Sequence, residues 1–422
     1  MKHHLWKLVK KARADRLGPG LITGAADDDP SGIATYSQAG AQFGFGLLWT
    51  VVFTFPLMTA IQMVSARIGH ITGHGLTANI KQAFPGWVTF GIVLLLVSAN
   101  TLNVSADIAA MAEALQLLAG GSALIYSITF GLLCLVLQVF LPYRSYVRWL
   151  KWLTLALLSY VAVVFTLDID WMQVAWSIIL PPLVLSKQSL LMIVAVFGTT
   201  ISPYLFFWQA AQEMEDVRAA GEGPPSVKSV RSHLRRIKWD TIIGMAMSNL
   251  IAFFIILCAA VTLHANGAQT IETAAQAAEA LRPLAGDFTF AVFSMGIIGT
   301  GLLAVPVLAG SAAYAAAEAM GFEGSLSSRL ENGEGRGFYS IIALSTLGGV
   351  ALSLSPSDAV QELFWAAVLN GVIAVPIMVV MMLLAGRKDI MGTHTVNGKL
   401  RALGWLSTAV MGAAVVGMFW MS

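Results

Sequence analysis

Residues 18 to 36 read GPGLITGAADDDPSGIATY: three consecutive aspartates and a proline stand inside a stretch otherwise apolar enough to enter a lipid bilayer. A charged residue near the centre of a spanning helix costs roughly 2.5–3.5 kcal/mol on insertion scales, so three adjacent ones do not face lipid. They have to meet water, a partner or an ion. Pro30 removes a backbone donor and pushes Asp29 away from helical geometry, while Gly20, Gly24 and Gly32 lower the cost of unwinding. The stretch therefore predicts two half-helices joined by an extended segment at residues 28–32. Consecutive helical residues are about 100° apart, so Asp27, Asp28 and Asp29 do not share one face of an intact helix. Asp29, beside the proline, is the best placed to ligate an ion. For Asp28 and Asp27 two readings stay open: direct contact, or a supporting role at the break.

The rest of the chain sets the medium. Of 422 residues, 57% are hydrophobic and 11% charged, against about a quarter charged in an ordinary globular domain. Apolar runs of about 20 residues, the length a helix needs to cross the hydrocarbon, recur throughout. They predict an all-α polytopic membrane protein with spans at 18–43 (interrupted), 46–66, 87–117, 122–141, 149–167, 188–212 (interrupted), 239–264, 287–317, 338–354, 359–385 and 401–421. Lysine and arginine test that count of eleven, because a missed span would flip every later loop. With the N-terminus inside, 23 of the 25 fall on the inner side and only Lys187 and Arg282 outside, and Ser422 lies outside. The basic leader, residues 1–17 with His3 and His4, reads as retained and anchored at the inner surface, because Asp-Asp-Asp-Pro follows it rather than a small-residue cleavage site. Glu213 to Lys238 reads as a solvated inner loop, and His70 and His74 as residues of the loop after the second span. Cys134 and Cys258 read as packed core thiols.

Five spans after the first break comes a second: VFGTTISPYLFFW, residues 196 to 208, with a glycine, small hydroxyl residues and Pro203 inside an apolar run. Paired interruptions five spans apart are the pattern of inverted-repeat transporters, whose freed carbonyls and half-helix ends bind ions near the midplane. The expected architecture is a LeuT-like 5+5 inverted repeat plus one extra helix. Its halves are residues 18–167 and 188–385, joined by an outer loop at 168–187 and followed by an inner loop and eleventh span at 386–422.

Here the sequence resembles the NRAMP family of divalent-metal transporters, whose first helix carries Asp-Pro-Gly-Asn and whose sixth carries Ala-Thr-Val-Met-Pro-His. The matching segments are Asp29-Pro30-Ser31-Gly32 and Thr199-Thr200-Ile201-Ser202-Pro203-Tyr204, with GPGLI, Gly-Phe-Gly-Leu-Leu-Trp and LAGSAAYAAAEAMGF agreeing around them. The resemblance implies that Asp29 and the backbone carbonyls of Ala26 and Thr199 hold a divalent cation, with the Thr200 hydroxyl nearby. Where the family has Asn and Met ligands, this chain has Gly32 and Ser202. A thioether favours soft ions, so a hydroxyl in its place removes selectivity against hard cations, and two shorter residues widen the cavity. Mg²⁺ is commonly held by one or two carboxylates through retained waters. The pattern is similar to the NRAMP-related magnesium transporter branch, and the expected substrate is partly hydrated Mg²⁺, with Mn²⁺ also carried; the alternative is a proton-coupled Mn²⁺ symporter of the ordinary kind. The family's tenth-span Gln falls near Leu363, with Gln361 one shift away and Asn370 two turns on; each amide reads either as a site residue or as helix packing.

The family couples entry to protons through a His after the sixth-helix proline and an Asp and Glu on the third helix. This chain keeps the Asp as Asp107 but has Tyr204 for the His and Ala110 for the Glu, with Glu113 one turn beyond as a possible substitute. Tyrosine, with an ordinary pKa near 10, does not carry protons at neutral pH. Uncoupled or weakly coupled uptake is expected. Asn100 and Asn103, at helical spacing with Asp107, either line a water path or bond between helices. An organic-solute symporter on the same scaffold fits poorly, since three aspartates at the break repel a substrate carboxylate, and no nucleophile-base or His-Glu-x-x-His motif suggests an intramembrane hydrolase. The expected partners are divalent ions and lipid, with the ion as cargo and no resident cofactor, in a prokaryotic plasma membrane.

Overall fold

The computed structural model describes residues 18–141, 154–182, 186–220, 227–322, 324–326, 335–354 and 358–421. The leader 1–17 and the first part of the fifth expected span lie outside them. The main helices are α1 (Pro19–Asp27), α2 (Pro30–Phe43), α3 (Leu48–Thr72), α4 (Leu76–Ala83), α5 (Gly86–Ala119), α6 (Ala123–Phe140), α7 (Leu158–Val164), α8 (Trp171–Ile179), α9 (Lys187–Thr200), α10 (Pro203–Ala220), α11 (Val227–Thr262), α12 (Thr289–Met320), α13 (Arg336–Ser353), α14 (Ala359–Ala385) and α15 (Gly398–Trp420).

Both expected breaks are present. Asp28 and Asp29 separate α1 from α2, and Ile201 and Ser202 separate α9 from α10, with Pro30 and Pro203 at the first position of the second half-helix in each case. Proline suits that position, since its missing N–H would have no intrahelical acceptor there. Proline alone does not make the break: Pro56, Pro306 and Pro376 sit inside continuous α3, α12 and α14.

Eight stretches of described helix are long and apolar enough to cross a membrane. They differ from the expected spans in three places. Residues 30–72 count as one stretch, the apolar helix at 155–164 is short, and α13, diluted by Ser340, Ser345, Thr346 and glycines, is not among them. Helices also run past their expected ends. α3 continues to Thr72, so His70 belongs to its last turn, its ring 5.1 Å from that of His233 rather than in a loop. The expected inner loop after the sixth span is largely helical too: α10 extends to Ala220 and α11 begins at Val227, placing Arg236 on a helix where it pairs with Glu213 at 2.6 Å and Asp216 at 3.1 Å. Cys134 and Cys258 are buried and free, as expected.

The outer faces of α5, α6, α13 and α15 carry exposed Trp87, Leu132, Leu344 and Trp420, as lipid contact requires. Inside, helices meet at glycine. A Cβ on Gly24 of α1 would lie 2.3 Å from the Gly244 carbonyl oxygen of α11, and one on Gly244 would lie 2.2 Å from the Gly20 carbonyl oxygen. Backbone cannot yield as a side-chain tip does, so Gly24→Val is expected to push α1 off α11 at an overpacking cost of about 1–3 kcal/mol. A drop of several degrees in the melting temperature of the detergent-solubilised protein checks this; an unchanged value would argue against that contact.

Candidate functional site

A proline has no N–H to donate to the carbonyl four residues earlier. For Pro30 that carbonyl belongs to Ala26, and for Pro203 it belongs to Thr199. Each of these is among the buried carbonyls that the break leaves for another donor to satisfy, and hydroxyls from around the second break do so. The Tyr204 hydroxyl lies 3.1 Å from the Ala26 oxygen, and Ser202 Oγ donates to the Thr199 oxygen at 2.8 Å and the Gly198 oxygen at 2.9 Å.

Asp29 is the N-cap of α2. Its Oδ1 accepts from Ser31 Oγ at 2.6 Å and from the Gly32 N–H at 2.8 Å, which fixes the carboxylate and turns Oδ2 toward α10. There Oδ2 lies 3.1 Å from the Tyr204 hydroxyl. That hydroxyl is therefore within reach of both Asp29 and Ala26, and has one proton for the two. Ala26, Asp29, Thr199, Ser202 and Tyr204 are all 2% exposed or less, so the site is occluded.

The neighbouring acids extend the negative charge. Asp27 Oδ2 and Asp28 Oδ1 share the Ser248 hydroxyl of α11, at 2.5 and 3.0 Å, and Asp27 Oδ1 has no hydrogen-bond partner. Asp107 of α5 is fully buried with neither carboxylate oxygen partnered. No lysine, arginine or histidine makes an ion pair with any of these four aspartates among the described residues. Buried carboxylates without a basic partner need protons or cations to neutralise them.

The other expected site residues divide. Gly32 touches the site through its N–H; a Cβ there would lie 3.2 Å from both Thr199 Oγ1 and the Tyr36 ring, so in this conformation those groups take the space that the missing side chain was expected to open. Thr200 lies at the break, but its hydroxyl turns back to the Val196 carbonyl at 2.7 Å. Asn370 and Asn103 donate to each other across α14 and α5, both at 3.0 Å, and Asn100 bonds Leu308 and Ser311 of α12, which is the interhelical reading of the asparagines. Gln361 is exposed and its amide lies 3.4 Å from Asp358, away from the break; the buried residue of that turn is Leu363. Glu113 does not extend the line of Asp107. Six residues is about 9 Å of rise and well off the same face, and its Oε1 accepts the Ala359 N–H at 3.3 Å. The sequence reading missed Ser248, whose only signal is a Ser-Asn pair inside an apolar run, and Tyr36, one turn after Gly32.

A family model described as "Natural resistance-associated macrophage protein-like" matches residues 20–421. The chain belongs to the Nramp family. Within it, the divalent metal cation transporter MntH of Yersinia pestis (strain Pestoides F) is 27% identical over 304 residues, 70% of each chain. The crystal structure of the Eremococcus coleocola manganese transporter with an aromatic bis-isothiourea compound is similar at TM-score 0.76, with 16% identity, covering 94% of this chain and 85% of that one. The nucleobase-cation-symport-1 transporter Mhp1, closed with bromovinylhydantoin bound, is similar at TM-score 0.59, with 13% identity over 96% and 93%. The structural likenesses give the fold, an all-helical LeuT-like architecture, and the family match makes the chain an integral membrane protein.

Proposed function

We propose that this Nramp-family chain carries divalent metal cations into the cell by alternating access, holding the ion between the Asp29 carboxylate and the freed carbonyls of Ala26 and Thr199, with Ser202 Oγ alongside. The observation that carries this is the Asp29 carboxylate, buried at a helix break with one oxygen locked by the cap and the other aimed across the junction of the two broken helices. Three further buried aspartates without a basic partner make the surroundings favourable to a cation and hostile to an anion. The proposed setting is a prokaryotic plasma membrane crossed eleven times with the N-terminus inside, the halves 18–167 and 188–385 forming the repeat and 401–421 the extra span.

The relatives are a divalent metal cation transporter and a manganese transporter. They support Mn²⁺ as a substrate, the alternative reading, more strongly than they support Mg²⁺. One observation favours Mg²⁺ as a second substrate: the side chains at the break offer oxygen alone, with Ser202 where a thioether would select soft ions. Uptake of each ion into proteoliposomes enclosing a pH dye tests both readings. Mn²⁺ entry with acidification and no Mg²⁺ entry would select the ordinary symporter; entry of both ions without acidification would select the hydrated-ion carrier; entry of neither would overturn the proposal. Restoring sulfur by Ser202→Met is expected to shift the preference for Cd²⁺ or Mn²⁺ over Mg²⁺ by on the order of tenfold in competition uptake, and an unchanged ranking would remove Ser202 from the site.

A further inference from the structure

We propose that the Tyr204 hydroxyl is a built-in stand-in for the transported cation, satisfying the ion's own oxygen ligands while the carrier returns without cargo. The proposal rests on the reading of Asp29 and Ala26 as ligands. Tyr204 is fully buried, so its ring is fixed by packing and its hydroxyl is aimed at one point, 3.1 Å from the Ala26 oxygen and 3.1 Å from Asp29 Oδ2. Among the described residues no other side chain donates to either atom. Two oxygens from opposite sides of the first break thus converge on a single donor, as they would on a bound ion.

The two occupants exclude each other. A directly bound ion of Mg²⁺ size holds its oxygens at about 2.0–2.1 Å. A phenol proton directed at the same lone pairs would then point at a cation, so the ion has to displace the hydroxyl from both acceptors. Binding is weakened by the hydrogen bond surrendered, and in the emptied site the one phenol proton is shared between Asp29 Oδ2 and the Ala26 carbonyl, which have no other side-chain donor among the described residues. A carrier that releases its ion inside and turns back needs that relief, because the returning form passes through an occluded state in which water does not solvate Asp29. An ion-loaded carrier crossing in either direction does not need it.

Tyr204→Phe keeps the ring and removes the donor. The expected result in proteoliposomes is a KM for Mn²⁺ lower by about tenfold, the worth of one charge-assisted hydrogen bond. Net uptake into Mn²⁺-free vesicles should slow more than exchange of external for internal Mn²⁺ does, so that the ratio of net uptake to exchange falls several-fold. The rise in melting temperature on adding Mn²⁺ should be larger than in the wild type, because the apo form has lost a bond that the ion-bound form never had. A higher KM with a smaller thermal shift would make the tyrosine a ligand and overturn the proposal, as would an unchanged ratio of net uptake to exchange. Tyr204→Leu, which keeps an apolar side chain there without a donor or a metal-binding atom, has to behave as Tyr204→Phe does, and serves if the phenylalanine variant does not fold. Asp29→Asn in the same assays separates the two levels: if it keeps wild-type Mn²⁺ binding, the ligand reading fails, whatever Tyr204 does.

Discussion

Asp29→Asn is expected to raise the KM for divalent-cation uptake by two to three decades while leaving the protein folded. Asparagine still caps a helix, so its side-chain oxygen retains the bond from the Gly32 N–H that starts α2. What it loses is the charge. Removing one member of a buried charge pair costs about 3–5 kcal/mol, and each 1.4 kcal/mol is a factor of ten. Asp29→Ala should lose transport equally and also the cap, lowering stability by about a further 1 kcal/mol. Uptake measured beside thermal melting separates the two functions of this carboxylate. Transport by the asparagine variant within threefold of wild type would show that the ion does not rest on Asp29.

The position of that carboxylate was legible because its signal is local. A charge next to a proline, inside an apolar run, has few ways to be accommodated, and the break at Asp28–Asp29 and the cap on Gly32 follow from residues within one helical turn. A second local signal lay in the same two motifs. Counting four residues back from Pro30 and Pro203 gives Ala26 and Thr199, the carbonyls that proline strands, a derivation that needs no knowledge of any relative. The contrast with Pro56, Pro306 and Pro376 refines the rule. Those prolines lie inside intact helices, whereas at the two breaks the preceding residue has a side chain that satisfies freed backbone groups, Asp29 forward and Ser202 backward.

Partnerships between distant helices were less legible. Ser248 is 220 residues from Asp28 and Asn370 is 267 from Asn103, and nothing in a run of apolar residues announces which polar side chain will meet which. Gln361 and Glu113 illustrate the cost. A polar residue near the right register looks available, yet at about 100° per residue Gln361, two from Leu363, is exposed and Glu113, six from Asp107, faces the start of α14. Helix ends past the apolar runs were hidden for a related reason: the first turns of α11 are basic, and hydropathy marks where lipid contact stops rather than where the helix does.

The same partnerships bear on what drives transport. The proton relay that the family resemblance implies keeps its aspartate as Asp107 but is altered at its other two positions: Tyr204 replaces histidine and hydrogen-bonds Asp29, and Ala110 replaces the glutamate, with Glu113 engaged with Ala359 off the face of Asp107. If no proton accompanies the ion, the membrane potential alone sets the accumulation. Two charges crossing 100 mV are worth about 4.6 kcal/mol, which is about three decades in concentration ratio. Proteoliposomes held at 100 mV inside-negative by a potassium gradient with valinomycin are therefore expected to accumulate Mn²⁺ on the order of a thousandfold, at a rate unaffected by a proton-conducting uncoupler added with the potential clamped. The enclosed pH dye should stay silent. Because Asp107 is retained, Tyr204→His supplies the missing titratable group, and acidification that appears in that variant alone would assign the loss of coupling to this one position. Acidification in the wild type, moving in step with Mn²⁺, would instead mean that Asp107 and its surroundings carry protons without the histidine, and the chain would be a proton-coupled symporter in spite of Tyr204.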